Sequence, residues 1–334
     1  MALCYIVSMR HFICLTLIAA CLSFPCAAQD VALNSKPFGL WLLELRQDAM
    51  KQGLTQATLD DALGSTAPIG RIIELDRKQP ESVLTLAQYL ANVVNDKRVT
   101  QGRQLLDENR ELLEAIGKKY GVQPRFIVAL WGIETNYGAN MGGFRTIDAL
   151  ATLAYDGRRS DFFRSELIKA LTILQQEHML AADMKGSWAG AMGQCQFMPE
   201  SFLKFAVDYD GDGKRDIWGS RADVFASIAN YLSSSGWKGD EGWGRQVQPV
   251  DGIDPAHATL DVVKPVSEWD ALGVRNLSGG HLPAGAVDAS LIYVGDKEPA
   301  GPYLVYQNYK VLLKWNRSRF FATAVGSLAD KIGQ

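Results

Sequence analysis

The residue whose type and setting best suit chemistry is Glu134, in the run Trp131-Gly132-Ile133-Glu134-Thr135-Asn136-Tyr137-Gly138. Trp131, Leu130 and Ile127 lie three, four and seven residues before it, so on a helix the acid sits beside or on an apolar face. Burial there disfavours the charged carboxylate and raises its pKa, as a general acid working near neutral pH requires. The same pattern also suits a boundary glutamate that reaches solvent or pairs with Arg125. A second candidate is the Gly-rich run from Lys185 to Pro199, whose small residues let backbone approach a ligand closely. Ser187, Gln194 and Gln196 offer hydrogen bonds to sugar hydroxyls, and Trp188 and Phe197 offer faces for stacking. A tight loop packed under the core is the competing reading.

The third candidate is Asp208-Tyr209-Asp210-Gly211-Asp212-Gly213-Lys214-Arg215-Asp216. It places carboxylates at positions 1, 3, 5 and 9, Gly at position 6, and the backbone carbonyl of Lys214 at position 7. That is the oxygen-rich spacing of an EF-hand calcium loop. Position 12 is Gly219 rather than Glu, so the usual closing ligand is missing, and Asp223 is the acid that could close a longer loop. A metal-free Asp-rich turn is the alternative. Calcium here would be structural, and no organic cofactor is expected.

These groups need a framework to hold them. Helical spacing runs from about Trp41 to Gly121, with a connection at Gln79-Pro80-Glu81-Ser82. Pro124 opens a strongly periodic segment through Asn136. Another helix is expected after Ser160 as N-cap, with Phe163, Leu167, Leu171 and Leu174 on one face. Residues 186 to 198 read as irregular, and short helices at about 199–207 and 223–235 flank the Asp loop. After Gly236 Gly and Pro become frequent, and alternating runs at Val287–Val294 and Tyr303–Tyr309 suggest strands. Lys314 to Ile332 returns to helix. The expected class is mainly α (α+β). Residues 29–95 form an N-terminal helical region, 96–239 with 306–334 the core, and 240–305 a small β-containing insertion.

Composition narrows the function classes. The 334 residues are 47% apolar and 21% charged, an ordinary globular balance. The net charge of −3 argues against nucleic acid, whose phosphates call for clustered Lys and Arg. The four histidines show no metal-ligand spacing, which argues against a zinc hydrolase. Residues 1–28 read as a secretory leader: Arg10 and His11, an apolar run from Phe12 to Phe24, then Pro25-Cys26-Ala27-Ala28. Cleavage after Ala28 would release the body into the periplasm. Ile18-Ala19-Ala20-Cys21 also resembles a lipobox, which would instead leave a lipid anchor on Cys21 and tie the protein to the outer membrane. Cys4, Cys14, Cys21 and Cys26 lie in this segment, so Cys195 is the only cysteine of the body and cannot bridge internally.

Taken together, GIETNYG, KGSWAGAMGQCQFMP, DYDGDGKRDIW and SIANYL resemble the lytic murein transglycosylases of the membrane-bound-transglycosylase-B type, in the family's order and over about residues 37 to 332. The resemblance implies a lysozyme-like helical core with a helical domain and a small β domain beside it. By motif, Glu134 matches the family's single catalytic Glu, Ser187 and Gln196 match groove residues, and Tyr231 matches the Tyr of the ANY motif. Asn316 looks like the Asn of the C-terminal core helix, and Tyr89 matches an aromatic groove residue. Arg158 and Arg159 look like the Arg pair that meets peptide-stem carboxylates; a solvated basic turn is the other reading. Phe321 stands where some relatives have Tyr. Relatives carry a similar calcium loop.

The implied reaction cleaves the bond between N-acetylmuramic acid and N-acetylglucosamine in peptidoglycan and leaves 1,6-anhydro ends. One carboxyl suffices because the muramoyl 6-hydroxyl is an internal nucleophile already held in place. Residue chemistry alone leaves Asp148, Asp156 and Asp161 open as a second acid, the pair most glycosidases use. A hydrolytic muramidase and a non-catalytic, calcium-stabilised peptidoglycan-binding protein are the competing readings. The expected partner is the glycan strand, met by a monomer; any contact with cell-wall synthesis proteins is unspecified.

Overall fold

The computed structural model describes residues 36–78, 84–249, 253, 257–295 and 301–334, so the leader and its cysteines lie outside the described residues. Leu33–Gln334 form one compact unit. Its helices begin with α1 (Phe38–Lys51), α2 (Gln56–Leu63), α3 (Gly70–Arg77), α4 (Leu86–Val93), α5 (Asp96–Glu108) and α6 (Arg110–Tyr120). Then come α7 (Pro124–Thr135), β1 (Phe144–Arg145), α8 (Thr146–Asp156), α9 (Ser160–Gln176) and β2 (Lys185–Gly186). Past the Gly-rich segment lie α10 (Pro199–Phe205) and α11 (Arg221–Ser234). Next are β3 (Gly244–Gln246), β4 (Lys264–Pro265), α12 (Val266–Ala271), β5 (Asp288–Tyr293) and β6 (Pro302–Val305), and α13 (Gln307–Trp315) and α14 (Arg319–Ile332) close the chain.

Local chemistry sets many of these bounds. Thr85 and Gln88 form a reciprocal capping box at the start of α4, and Asn95, Ser220 and Ser318 cap α5, α11 and α14. Pro124 sits in the first turn of α7, where its missing N–H costs nothing. That helix is buried nearly all round, from Phe126 through Gly132 and at Thr135, and packs against α5, α6, α11 and α14. It is the axis of the molecule.

Two apolar clusters divide the interior. The larger takes in the helices, with Phe126, Leu130, Leu171, Phe225 and Leu328 among its members. The smaller surrounds Trp269, with Val247, Val266, Leu291, Leu304 and Tyr306. It lies on an antiparallel sheet of order β3-β6-β5-β4, in which Leu291 faces Leu304 and Arg245 also faces Leu304 from the other side. The Trp269 indole N–H donates to the Ala289 carbonyl at 2.9 Å, so this buried ring leaves no polar atom stranded.

Three expectations change. The alternating run at Tyr303–Tyr309 is strand only to Val305, and Gln307 already begins α13. The C-terminal helical stretch is broken at Asn316–Ser318, where Asn316 takes an extended conformation. Ser160 is the first helical residue of α9 rather than its cap; Arg159 precedes it at φ 59 with no side-chain cap.

Gly326 shows how tightly the closing helix seats. A β-carbon there would come within 2.2 Å of the Trp243 ring, whose N–H is fixed on Asp330 at 2.8 Å. We expect Gly326→Ala to destabilise the fold by about 1–3 kcal/mol through overpacking. Urea denaturation with an unchanged slope and a lower midpoint would register this; an unchanged midpoint would mean the ring retreats freely.

Candidate active site

Glu134 is the penultimate residue of the buried helix α7. The chain leaves that helix through three consecutive left-handed residues, Asn136 (φ 50), Tyr137 (φ 61) and Gly138 (φ 84). This costly turn is pinned from several sides. The Thr135 hydroxyl accepts the Gly138 N–H at 3.0 Å and donates to the Gln194 carbonyl at 3.1 Å. The Tyr137 hydroxyl donates to the Arg98 carbonyl at 2.8 Å.

The acid is partly accessible, yet its carboxyl is crowded by protein, and burial pushes its pKa from 4.5 up to about 7. Its place at a helix C-terminus, the negative pole of the helix, acts in the same direction. One group opposes the rise: the Trp315 indole N–H donates to Glu134 Oε1 at 2.6 Å. Trp315 ends α13 and is wedged by aromatic rings, Tyr231 at 4.6 Å and Phe197 at 5.3 Å between centroids. Arg125, the alternative partner for Glu134, instead pairs with Asp330 at 3.5 Å. A half-protonated carboxyl near neutral pH, held by one neutral donor, can give a proton and take one back.

The three further acids are committed elsewhere or exposed. Asp148 accepts from Thr66 at 2.9 Å and pairs with Arg145 at 3.2 Å. Asp156 pairs with Arg77 at 3.0 Å, and Asp161 is exposed in the first turn of α9. Among the described residues no second carboxylate contributes to the shift of Glu134.

The other sequence candidates divide by location. Tyr89, on α4, is half-buried against Phe320, and burial, with a smaller contribution from the charge of Glu134, raises its phenol pKa. Ser187 is partly exposed, its hydroxyl accepting the Ala191 N–H at 3.1 Å. Gln196 holds φ 50 and spends its amide N–H groups on the Met141 and Gly193 carbonyls, at 3.1 and 2.9 Å. Tyr231 donates its hydroxyl to the Lys314 carbonyl at 2.8 Å, so it braces the Trp315 turn. Asn316 follows Trp315 directly and accepts the Ser318 N–H at 3.0 Å. Arg158 and Arg159 both reach the buried Asp76, the latter at 2.7 Å, with their outer faces still exposed.

Two groups proposed for sugar contact are turned inward. Gln194 is buried and directs its amide into the fold, accepting from the Trp131 indole at 2.7 Å and donating to the Trp218 carbonyl at 2.7 Å. Phe197 is 3% exposed and cannot stack on a sugar. Trp188 remains partly exposed. The residue missed from the sequence is Trp315: it stands 181 positions from its acid, and no periodicity links them.

In the Asp loop, carboxylate oxygens of Asp208, Asp210 and Asp212 lie within 4.8 Å of one another. Asp208 also receives the Gly211 and Gly213 N–H groups, and Gly211 and Gly213 take left-handed turns that fold the loop round it. Arg215, the nearest cation in sequence after Lys214, is drawn off to Glu177 at 2.5 Å. Three converging carboxylates that pair with no cation among the described residues suit a hard divalent ion. Asp216 stays outside this trio, its Oδ1 taken by the Trp218 and Gly219 N–H groups. Asp223 is fully buried and accepts the Tyr209 and Asp216 N–H groups at 2.7 and 2.8 Å, so it ties the loop to α11 from within. Lys214 is anchored through its N–H on Asp212 at 2.8 Å.

The raised pKa has a consequence for stability. Glu134 titrates at about 7 when folded and at 4.5 when exposed, so between these values the folded chain binds the extra proton and stability falls as pH rises. Glu134→Gln carries no titrating proton. It should therefore match wild type at about pH 4 and exceed it by roughly 3 kcal/mol above about pH 8. Denaturation curves at the two pH values test this; a difference that does not change with pH would mean the carboxyl is not desolvated.

Comparisons with known proteins agree with this geometry. The family model described as "Transglycosylase SLT domain" matches residues 37–330. Membrane-bound lytic murein transglycosylase B of Escherichia coli is 32% identical, over 95% of this chain and 94% of its own. The crystal structure of SltB3 from Pseudomonas aeruginosa with NAG-anhNAM-pentapeptide is 42% identical and superposes with a TM-score of 0.85, covering 89% of this chain and 80% of that one. The Escherichia coli lytic transglycosylase Slt35 in complex with calcium is 27% identical with a TM-score of 0.74, covering 90% and 93%. With a family match across nearly the whole body and an enclosed, half-protonated glutamate at its axis, the chain belongs to the SLT-domain transglycosylases and is a lytic murein transglycosylase.

Proposed function

We propose that Glu134 is the single acid and base of the reaction, and the observation that carries this is its desolvated carboxyl beside the lone Trp315 donor. In its protonated form it gives a proton to the oxygen joining N-acetylmuramic acid to N-acetylglucosamine. As carboxylate it then removes the proton of the muramoyl 6-hydroxyl, which closes on C1 and yields the 1,6-anhydro end. Water is not consumed, in keeping with the commitment of Asp148 and Asp156 to ion pairs of their own. Ser187, Gln196 and Asn316 line the groove, Tyr89 faces Glu134 across it, and Tyr231 acts by seating Trp315. Arg158 and Arg159 offer their exposed faces to carboxylates of the peptide branch.

The substrate is the peptidoglycan glycan strand, bound by a monomer. Residues 29–95 serve as the helical region, 96–239 with 306–334 as the catalytic core, and 240–305 as the β-containing insertion, a division supported by the separate apolar cluster around Trp269. Export to the periplasm follows from residues 1–28, with outer-membrane attachment if Cys21 is lipidated. Calcium at Asp208, Asp210 and Asp212 would stiffen the arm that carries Ile217 and Trp218; the named relative crystallised with calcium supports this.

Glu134→Gln keeps the shape and loses both proton transfers. Binding to purified sacculi should persist while release of anhydro-muropeptides falls at least ~10³-fold. Mass spectrometry of the digest reads both halves: substantial residual release would mean another carboxyl acts, and wild-type products heavier by one water would mean a hydrolase.

Calcium should raise the melting temperature, equivalent to ~2.7 kcal/mol at a hundredfold excess over Kd, and the Asp208→Asn, Asp212→Asn double variant should lose that shift. Identical melting of wild type in calcium and in chelator would leave the loop a simple turn.

A further inference from the structure

Outside the catalytic site, a cavity of about 470 Å³ lies between the strap that follows α9 (residues 177–183) and the outgoing arm of the Asp loop (residues 214–219). That volume suits a small organic ligand or a short peptide. The cleft is tied at both ends. At one, Arg215 bonds Glu177 through its backbone N–H and its guanidinium, at 2.8 Å and shorter; at the other, the Trp218 indole N–H donates to the Lys185 carbonyl at 2.8 Å. Its walls therefore hold their separation without a ligand.

Within it, charges of both signs are left over. Arg215 is consumed by Glu177, but the side chains of His178, Asp183 and Lys214 are exposed and make no hydrogen bond or ion pair among the described residues. Between them stand Leu180, 60% exposed, and the part-exposed indole of Trp218. His178 holds φ 50, a strained setting for a non-glycine residue, and the loop carries that strain while its ring stays at the surface. A cleft with an ammonium, a carboxylate and an imidazole around an apolar floor is complementary to a short peptide bearing both carboxylate and ammonium groups. A neutral sugar would leave those charges unmatched, and a simple anion would meet Asp183.

We propose that this cleft binds the peptide branch of the glycan strand, with Lys214 meeting a branch carboxylate, Asp183 a branch ammonium, and Leu180 with Trp218 the aliphatic part between. The assignment rests on the transglycosylase reading and gives that site a second, peptide-specific contact. Reach is compatible. Asp183 and the groove residue Ser187 are four positions apart, at most ~14 Å of chain, and an extended pentapeptide spans roughly 17 Å. A pentapeptide-bearing fragment is the ligand of the related SltB3 complex.

The test compares two substrates: glycan strands carrying their peptides, and the same strands stripped of peptide by an amidase. Lys214→Met with Asp183→Asn removes both charges at exposed positions and leaves untouched the Lys214 backbone, the only part of that residue read as a calcium ligand. Each exposed contact is worth little alone, so the double variant is the informative one. Expected is a rise in KM of ~10-fold on peptide-bearing strands, with kcat unchanged and no effect on stripped strands. Leu180→Gln should act in the same direction. In parallel, calorimetric titration with the free stem tetrapeptide should show binding to wild type and to Glu134→Gln, and none to the double variant. Equal effects on both substrates, or no effect on either, would overturn the proposal. Failure of wild type to release anhydro products from either substrate would count against the transglycosylase reading instead, so the two failures are distinct.

Discussion

Everything in this molecule is arranged around the cost of placing one carboxyl at the end of a helix that solvent barely reaches. An acid on a surface helix would stay ionised and have no proton to give at neutral pH. α7 avoids that by being apolar on all sides and ending in a left-handed turn, so that its last acid is crowded by protein rather than by water. The single indole N–H from Trp315 keeps the shift within useful bounds: without a donor the proton would be held too firmly to leave, and a cation there would hold the charge instead. The neighbouring aromatic rings serve that one bond. Tyr231, fixed on the Lys314 carbonyl, and Phe197 pack against the Trp315 ring and brace it in that orientation.

The same economy explains Gln194. Its side chain is the joint between the acid's helix, through Trp131, and the arm of the Asp loop, through the Trp218 carbonyl, while its backbone N–H bonds the Ile217 carbonyl at 2.8 Å. Three segments distant in sequence thus share one buried amide whose oxygen and nitrogen each have a partner, which satisfies both polar atoms in an apolar setting.

Much of this was legible in the sequence where the signal was local. Helical periodicity marked α7, Pro124 its start, and carboxylate spacing the Asp loop, because each is written within a dozen residues. The roles that were misread depend on contacts between distant segments. Gln194 and Phe197 looked like groove residues because nothing in a Gly-rich run tells which side chains turn inward. For Arg158 and Arg159 what no local pattern gives is their anchor, Asp76, more than eighty positions earlier, which holds both while leaving their outer faces open. Asp223 reads as a ligand by type, yet its burial and its two backbone donors make it the loop's inner post. The Trp315 bond to Glu134 was invisible for the same reason.

One quiet residue bears on where such a protein can function. Cys195 is fully buried beneath the site, its Sγ 3.6 Å from the Val224 carbonyl, and burial with the nearby acids holds its thiol pKa well above the usual value. Oxidants and other thiols attack or are attacked by the thiolate, so a protonated and enclosed sulfur is inert to both. Among the described residues, then, no thiol answers to the redox poise of its surroundings. The described residues hold no cysteine pair to bridge and no exposed thiol through which two copies could crosslink.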